Sequence, residues 1–205
     1  MKVQAMKLMN VFTAFKSIAL ISFFVSASLL ASGCAEVINV TTSKPIQMKA
    51  NTRTMGAKLN DQEIETAAKV NIKKADPQLE RAHVSVDSFN GIVLLTGQVA
   101  SEELRNLVAD TVYQLNPVRE LHNELVIGEA TNFAVRSHDS WITAKIKAQL
   151  LADKQTESGR IRIITEMQTV YLMGMVSRAE ADRITNMVSH TSDVQKVVKV
   201  FEYLD

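Results

Sequence analysis

The chain has 205 residues, 46% of them hydrophobic and 22% charged, an ordinary globular composition with room for one or two domains. Its 23 basic and 22 acidic residues leave a net charge of +1 with no basic run, which argues against a nucleic-acid partner. A single cysteine excludes an internal disulfide, and the four histidines show no metal-ligand spacing.

In chain order, Lys2, Lys7 and Lys16 precede the apolar run "SIALISFFVSASLLASGC". That run is shorter than the roughly 20 apolar residues a permanent membrane span requires, so residues 1–33 read as an export signal. "Leu30-Ala31-Ser32-Gly33-Cys34" resembles a bacterial lipobox, with Leu30 one step before the position the pattern prefers. The resemblance implies acylation of Cys34, which becomes residue one of the mature chain. Ala35 in second place, rather than aspartate, implies sorting to the outer membrane with the domains facing the periplasm. Cleavage removes three lysines and no acids, leaving 20 basic against 22 acidic residues. Residues 34–55 are polar, without a sustained period, and read as a lipid-anchored tether that extends to about 70 Å at most.

Beyond the tether the chain repeats itself. Residues 84–108 lie over 161–185 at an offset of 77, pairing Gly97 with Gly174, Leu95 with Leu172 and Glu103 with Glu180. Upstream the offset is 78 (Asp61 with Asp139, Ile64 with Ile142) and downstream it is 76 (Val118 with Val194). Two units of about seventy residues are tandem small domains rather than a solenoid. We place the first at 56–128, a connection at 129–137 and the second at 138–205.

Each unit reads as helix, strand, strand, helix, strand. Ile64, Ala68 and Ile72 recur on one helical face. "HVSVDSF" and "IVLLTGQV" are strands joined by Asn90-Gly91, a strong hairpin signal. Ser101 opens the next helix, and "ELHNELVI" closes the unit as a strand. In the second unit Ser177 and Glu180 form a capping-box pattern. Its hairpin turn, residues 166–168, has no glycine, so a different turn is expected there. The expected fold class is α+β: two tandem domains, each with two helices on a small sheet. Gly97 and Gly174 sit late in strands, where a close backbone approach explains them better than a phosphate loop does.

Here a resemblance becomes specific. "VLLTGQV" with "VRELHN", and "VYLMGMV" with "VQKVVK", resemble the strand-helix-strand pattern of the BON domain, with Lys199 in place of the usual asparagine. Two copies behind a lipobox resemble the dual BON-domain outer-membrane lipoproteins of the division- and outer-membrane-stress-associated lipid-binding type. "WITAKIKAQLL" is the most distinctive part of that match. The resemblance covers roughly residues 30 to 205 and implies phospholipid binding and support of outer-membrane integrity.

The only tryptophan opens that stretch. At 100° per residue, Ile142, Ile146 and Leu150 share the stripe that faces the sheet. Trp141, Ala144, Ala148 and Leu151 form a second apolar stripe whose counterparts in the first unit are Glu63, Thr66, Val70 and Lys73. Homologous units need the same core, so the extra stripe is expected to serve an outside contact; the alternative packs it against the first unit. Facing a membrane, Trp141, Ala144, Ala148 and Leu151 would meet lipid while Lys145 and Lys147 met anionic phosphates. The second unit, with nine basic and nine acidic residues, suits that surface better than the first, with seven against eleven. No nucleophile–base arrangement stands out, so we expect no enzyme, no cofactor, no metal and no small-molecule substrate. The competing function is a periplasmic adaptor that docks an envelope-assembly or cell-wall protein.

Overall fold

The computed structural model describes residues 54–205. Cys34, the export signal and most of the tether lie outside the described residues.

The first unit opens with α1 (Met55–Ala75), capped by the Thr54 hydroxyl, which accepts from the Ala57 N–H at 3.1 Å. Its buried residues are Asp61, Ile64, Ala68 and Ile72, spaced three and four apart as one helical face requires. Strands β1 (His83–Phe89) and β2 (Ile92–Val99) pair antiparallel through the Asn90-Gly91 turn. Both turn residues take positive φ, 54° and 78°, as a two-residue hairpin of this twist demands. Helix α2 (Glu102–Tyr113) starts at Ser101, whose hydroxyl accepts from the Leu104 N–H. The chain then returns parallel to β2, so β2 is central. The expected single closing strand is two pieces, β3 (Glu120–Asn123) and β4 (Val126–Ile127), both on β2. Between them the buried side chain of Leu125 turns into the core.

The second unit repeats this order with α3 (Phe133–Ala152), β5 (Ile161–Glu166), β6 (Thr169–Val176), α4 (Arg178–Ser189) and β7 (Lys196–Tyr203). A short 3-10 turn, Ser158–Arg160, leads into β5. β6 is central, antiparallel to β5 and parallel to β7. Ser177 caps α4 as expected, accepting from the Glu180 N–H. The Glu180 carboxylate, however, pairs with Arg160 at 3.1 Å.

The turn between β5 and β6 corrects the expectation of a different geometry. Met167 and Gln168 take φ of 48° and 61°, the same left-handed pair as Asn90-Gly91 without a glycine. The reason lies 28 residues upstream: the buried carboxylate of Asp139 accepts from the N–H groups of Met167 and Gln168, both at 2.9 Å. Asp61 does the same in the first unit, accepting from Asn90 N–H (2.8 Å), Gly91 N–H (2.9 Å) and Ser88 Oγ (2.7 Å). Charge-assisted bonds to two turn amides offset the cost of positive φ at a non-glycine residue. In each unit one acid on the first helix therefore locks that helix to its hairpin.

Three apolar clusters set the architecture. One lies between the first sheet and α1 and α2, including Val93, Leu95 and Val108. A second lies between the other sheet and α3 and α4, including Ile142, Leu172 and Ile184. The third joins the two sheets: Phe89, Ile92 and Leu94 meet Tyr171, Met173 and Val200. The molecule is thus a four-layer helix–sheet–sheet–helix sandwich. This explains why β2 is buried at every position, since a strand covered on both faces reads as a continuous apolar run. Ion pairs and an amide hydrogen bond rim the sheet-to-sheet contact. Arg162 reaches Asp87 (2.6 Å) and Glu65 (2.8 Å), and Glu202 receives Asn90 (2.6 Å) and Arg119 (3.1 Å).

Candidate lipid-facing surface

Because the two units meet through their sheets, the helices of the second unit occupy an outer layer. The inner face of α3 carries Asp139, Ile142, Ile146 and Leu150, all buried. On the opposite face Trp141 is 62% exposed and Leu151 74% exposed, and Ala144 and Ala148 between them are also exposed. With all four positions exposed, the alternative in which the stripe packs against the first unit does not hold. The apolar outer face is not a core surface.

The two lysines expected beside the stripe differ. Lys147 is exposed. Lys145 is turned into its own domain: its ammonium donates to Ser192 O and Oγ, both at 2.8 Å, and pairs with Asp193 at 2.6 Å. The hydrogen bond from Lys145 is the largest cause holding the Asp193 carboxyl below its ordinary range, with the charges of Lys145 and His138 adding to it. Lys145 therefore fastens the loop between α4 and β7 onto α3 and must give up those contacts before it can meet a phosphate. Asp139 is the only acid in α3 and it is buried, so the helix presents no negative charge outward.

Helix α3 begins at Phe133, inside the stretch 129–137 that reads as a connection. The Asn132 side chain caps it, accepting from the Val135 N–H at 3.1 Å. This start leaves Phe133 79% exposed, the most exposed large apolar side chain among the described residues. A cap residue immediately ahead of "FAV" was the signal that could have located it. Beside this first turn, a shallow groove of about 490 Å³ is lined by Ala134, Val135, His138, Met167, Gln168 and Gln195.

Among the described residues no group of three or more His, Cys, Asp or Glu side chains is placed to hold a metal ion. Nor is any described helix long and apolar enough to cross a membrane. Glu102 and Glu103 lie in the first turn of α2, where their charge suits the helix N-terminus.

Comparison with known proteins agrees with the architecture. The BON domain model matches residues 60–129 and 138–205. "Outer membrane lipoprotein DolP" of Haemophilus influenzae is 28% identical over 186 residues, covering 90% of this chain and 96% of that protein. The "21 kDa hemolysin" of Actinobacillus pleuropneumoniae is 35% identical over 156 residues, covering 74% and 78%. "Osmotically-inducible protein Y" of Escherichia coli is 24% identical, covering 88% and 90%.

Proposed function

The chain belongs to the BON domain family, with two copies in tandem, and from that premise we propose that it is a non-enzymatic, lipid-anchored outer-membrane lipoprotein. In this reading the acyl chains on Cys34 hold it to the membrane, and the outer face of α3 binds anionic phospholipid. The lipobox-like run and the likeness to an outer-membrane lipoprotein over nearly the whole chain support the anchor and the location. One observation carries the lipid contact: a stripe of exposed Trp141, Ala144, Ala148 and Leu151 on a helix with no outward acid.

The chemistry suits an interface. An indole lies among acyl chains while its N–H stays wet. Burying half of a tryptophan, about 75–125 Å², contributes roughly 2–3 kcal/mol at 25 cal/mol per Å². Exposed Lys147 supplies on the order of 1 kcal/mol near an anionic surface. Such a sum gives weak adhesion by itself, far below that of two acyl chains. The helix therefore orients an already anchored protein and biases it toward anionic lipid, helped by the high local concentration that a short tether maintains.

The test is the emission of Trp141 in soluble protein lacking residues 1–34, titrated with vesicles of increasing anionic content. Free protein should emit like a solvated indole. A blue shift that grows with anionic lipid and weakens in Lys147→Glu supports the reading. Lys147 is the informative lysine, because Lys145→Glu would set a carboxylate against Asp193 and disturb the fold. An emission unchanged at every lipid composition would refute lipid binding by this helix and leave the adaptor function in front.

A further inference from the structure

Residues 133–137 form the first turn of α3 and precede the stretch 138–205 that matches the BON domain, as 55–59 on α1 precede 60–129. We propose that this first turn is a second membrane-insertion point, with Phe133 as its anchor, on the same bilayer that Trp141 meets. The inference rests on the lipid-facing reading of α3 and extends the contact beyond the stripe visible in the sequence.

Three observations carry it. Phe133 is 79% exposed, more than either Trp141 or Leu151, and a free aromatic ring at the start of a helix costs hydration that a bilayer relieves. Its direction is right as well: Phe133 and Leu151 are eighteen residues apart, five whole turns, so they project along one line with Ala144 beside it. That line is about 27 Å long. A helix with apolar anchors at both ends and one between lies flat on a membrane; anchors confined to Trp141 and Leu151 would let it tilt on its C-terminal half. The third observation is charge. Arg136 and Lys147, both exposed, project from the same edge of the helix, eleven residues apart and about 16 Å along the axis. Arg136 donates to the Thr131 carbonyl, which spends one of its several N–H groups and leaves others for a phosphate. A cation thus stands beside each anchor, one turn or so away.

The opposing flank of the helix differs. There His138 and the paired Lys145 face the loop that carries Asp193. The flat-lying helix should therefore settle with the Arg136–Lys147 edge toward the head groups.

The experiment moves the reporter. Trp141→Phe with Phe133→Trp gives a protein whose only tryptophan is at 133, and both positions are exposed, so folding should be undisturbed. Soluble protein lacking residues 1–34 is titrated with vesicles of phosphatidylglycerol and phosphatidylcholine, and quenching by chain-brominated lipid is read for each protein. Insertion at 133 predicts a blue shift and bromine quenching comparable to those of Trp141 in the parent. Phe133→Ala, with Trp141 kept, should weaken vesicle partition roughly tenfold, the loss expected for one buried aromatic. If Trp141 shifts and is quenched while the tryptophan at 133 stays solvent-like, this inference fails and the function proposed above stands. If neither tryptophan responds, both fail. Equal partition of Phe133→Ala and parent, with Trp141 shifting in each, would also overturn the role of Phe133.

Discussion

Replacing Asp139 by alanine tests whether one carboxylate joins α3 to its hairpin. The side chain is buried and accepts from the N–H groups of Met167 and Gln168 at 2.9 Å each. Hydrogen bonds to a charged group contribute about 1.5–3 kcal/mol each, so their joint loss would cost up to roughly 6 kcal/mol. Removing a buried charge recovers part of that, because the charge no longer has to be desolvated. We expect Asp139→Ala to lower stability by about 3 kcal/mol, a large share of the 5–15 kcal/mol typical of a domain. The assay is urea unfolding of protein lacking residues 1–34, followed by far-ultraviolet circular dichroism. Converting the turn to Asn-Gly by Met167→Asn and Gln168→Gly in the Asp139→Ala background should restore roughly 1 kcal/mol, the cost of a left-handed residue. It should not restore the rest, since two turn amides still lack their carboxylate. Asp61→Ala should cost at least as much, because Asp61 also accepts from Ser88 Oγ. A loss below about 0.5 kcal/mol for Asp139→Ala would show that the turn holds itself, and the account of the glycine-free hairpin would be wrong.

Three further outcomes follow from close approaches and burial. Gly97 has φ +114°, and a Cβ there would lie 1.9 Å from the His83 carbonyl oxygen, so Gly97→Ala should prevent stable folding. At Gly174 the corresponding approach to the Arg160 carbonyl oxygen is 2.8 Å, and Gly174→Ala should cost about 1–2 kcal/mol; equal losses in thermal melts would contradict the geometry. Burial between the sheets, with Glu124 and Glu166 nearby, pushes the Tyr171 hydroxyl from the ordinary 10 up to about 12. The folded state then holds its proton where the unfolded state releases it. That contribution is complete below pH 10 and fades as pH rises through 12, by on the order of 3 kcal/mol in all. Tyr171→Phe should flatten the decline in urea-unfolding stability between pH 10 and 12; an unchanged decline would exclude Tyr171 as its source.

What could be read directly from the chain was local and repeated. Ile64, Ala68 and Ile72, and Ile142, Ile146 and Leu150, mark two inner helix faces because a 3.6-residue period survives in any context. The hairpin at Asn90-Gly91, the serine caps and the close approach at Gly97 and Gly174 follow from chemistry within a few residues or from the repeat itself. The outward stripe of Trp141, Ala144, Ala148 and Leu151 was visible because its counterparts in the first unit include Glu63 and Lys73.

Tertiary structure decided whatever depended on partners far along the chain. Asp61 and Asp139 were visible as a repeated pair, but their task requires amides 29 and 28 residues away. Lys145 looked free beside the stripe until the fold brought Asp193, 48 residues on, against it. Nothing local told Phe89, Ile92 and Leu94 that their cover would be Tyr171, Met173 and Val200. Apolar side chains carry no directional label, so sequence determines which faces must be covered while only the packed chain decides what covers them. Here sheet covers sheet, and the outer face of α3 is left to solvent.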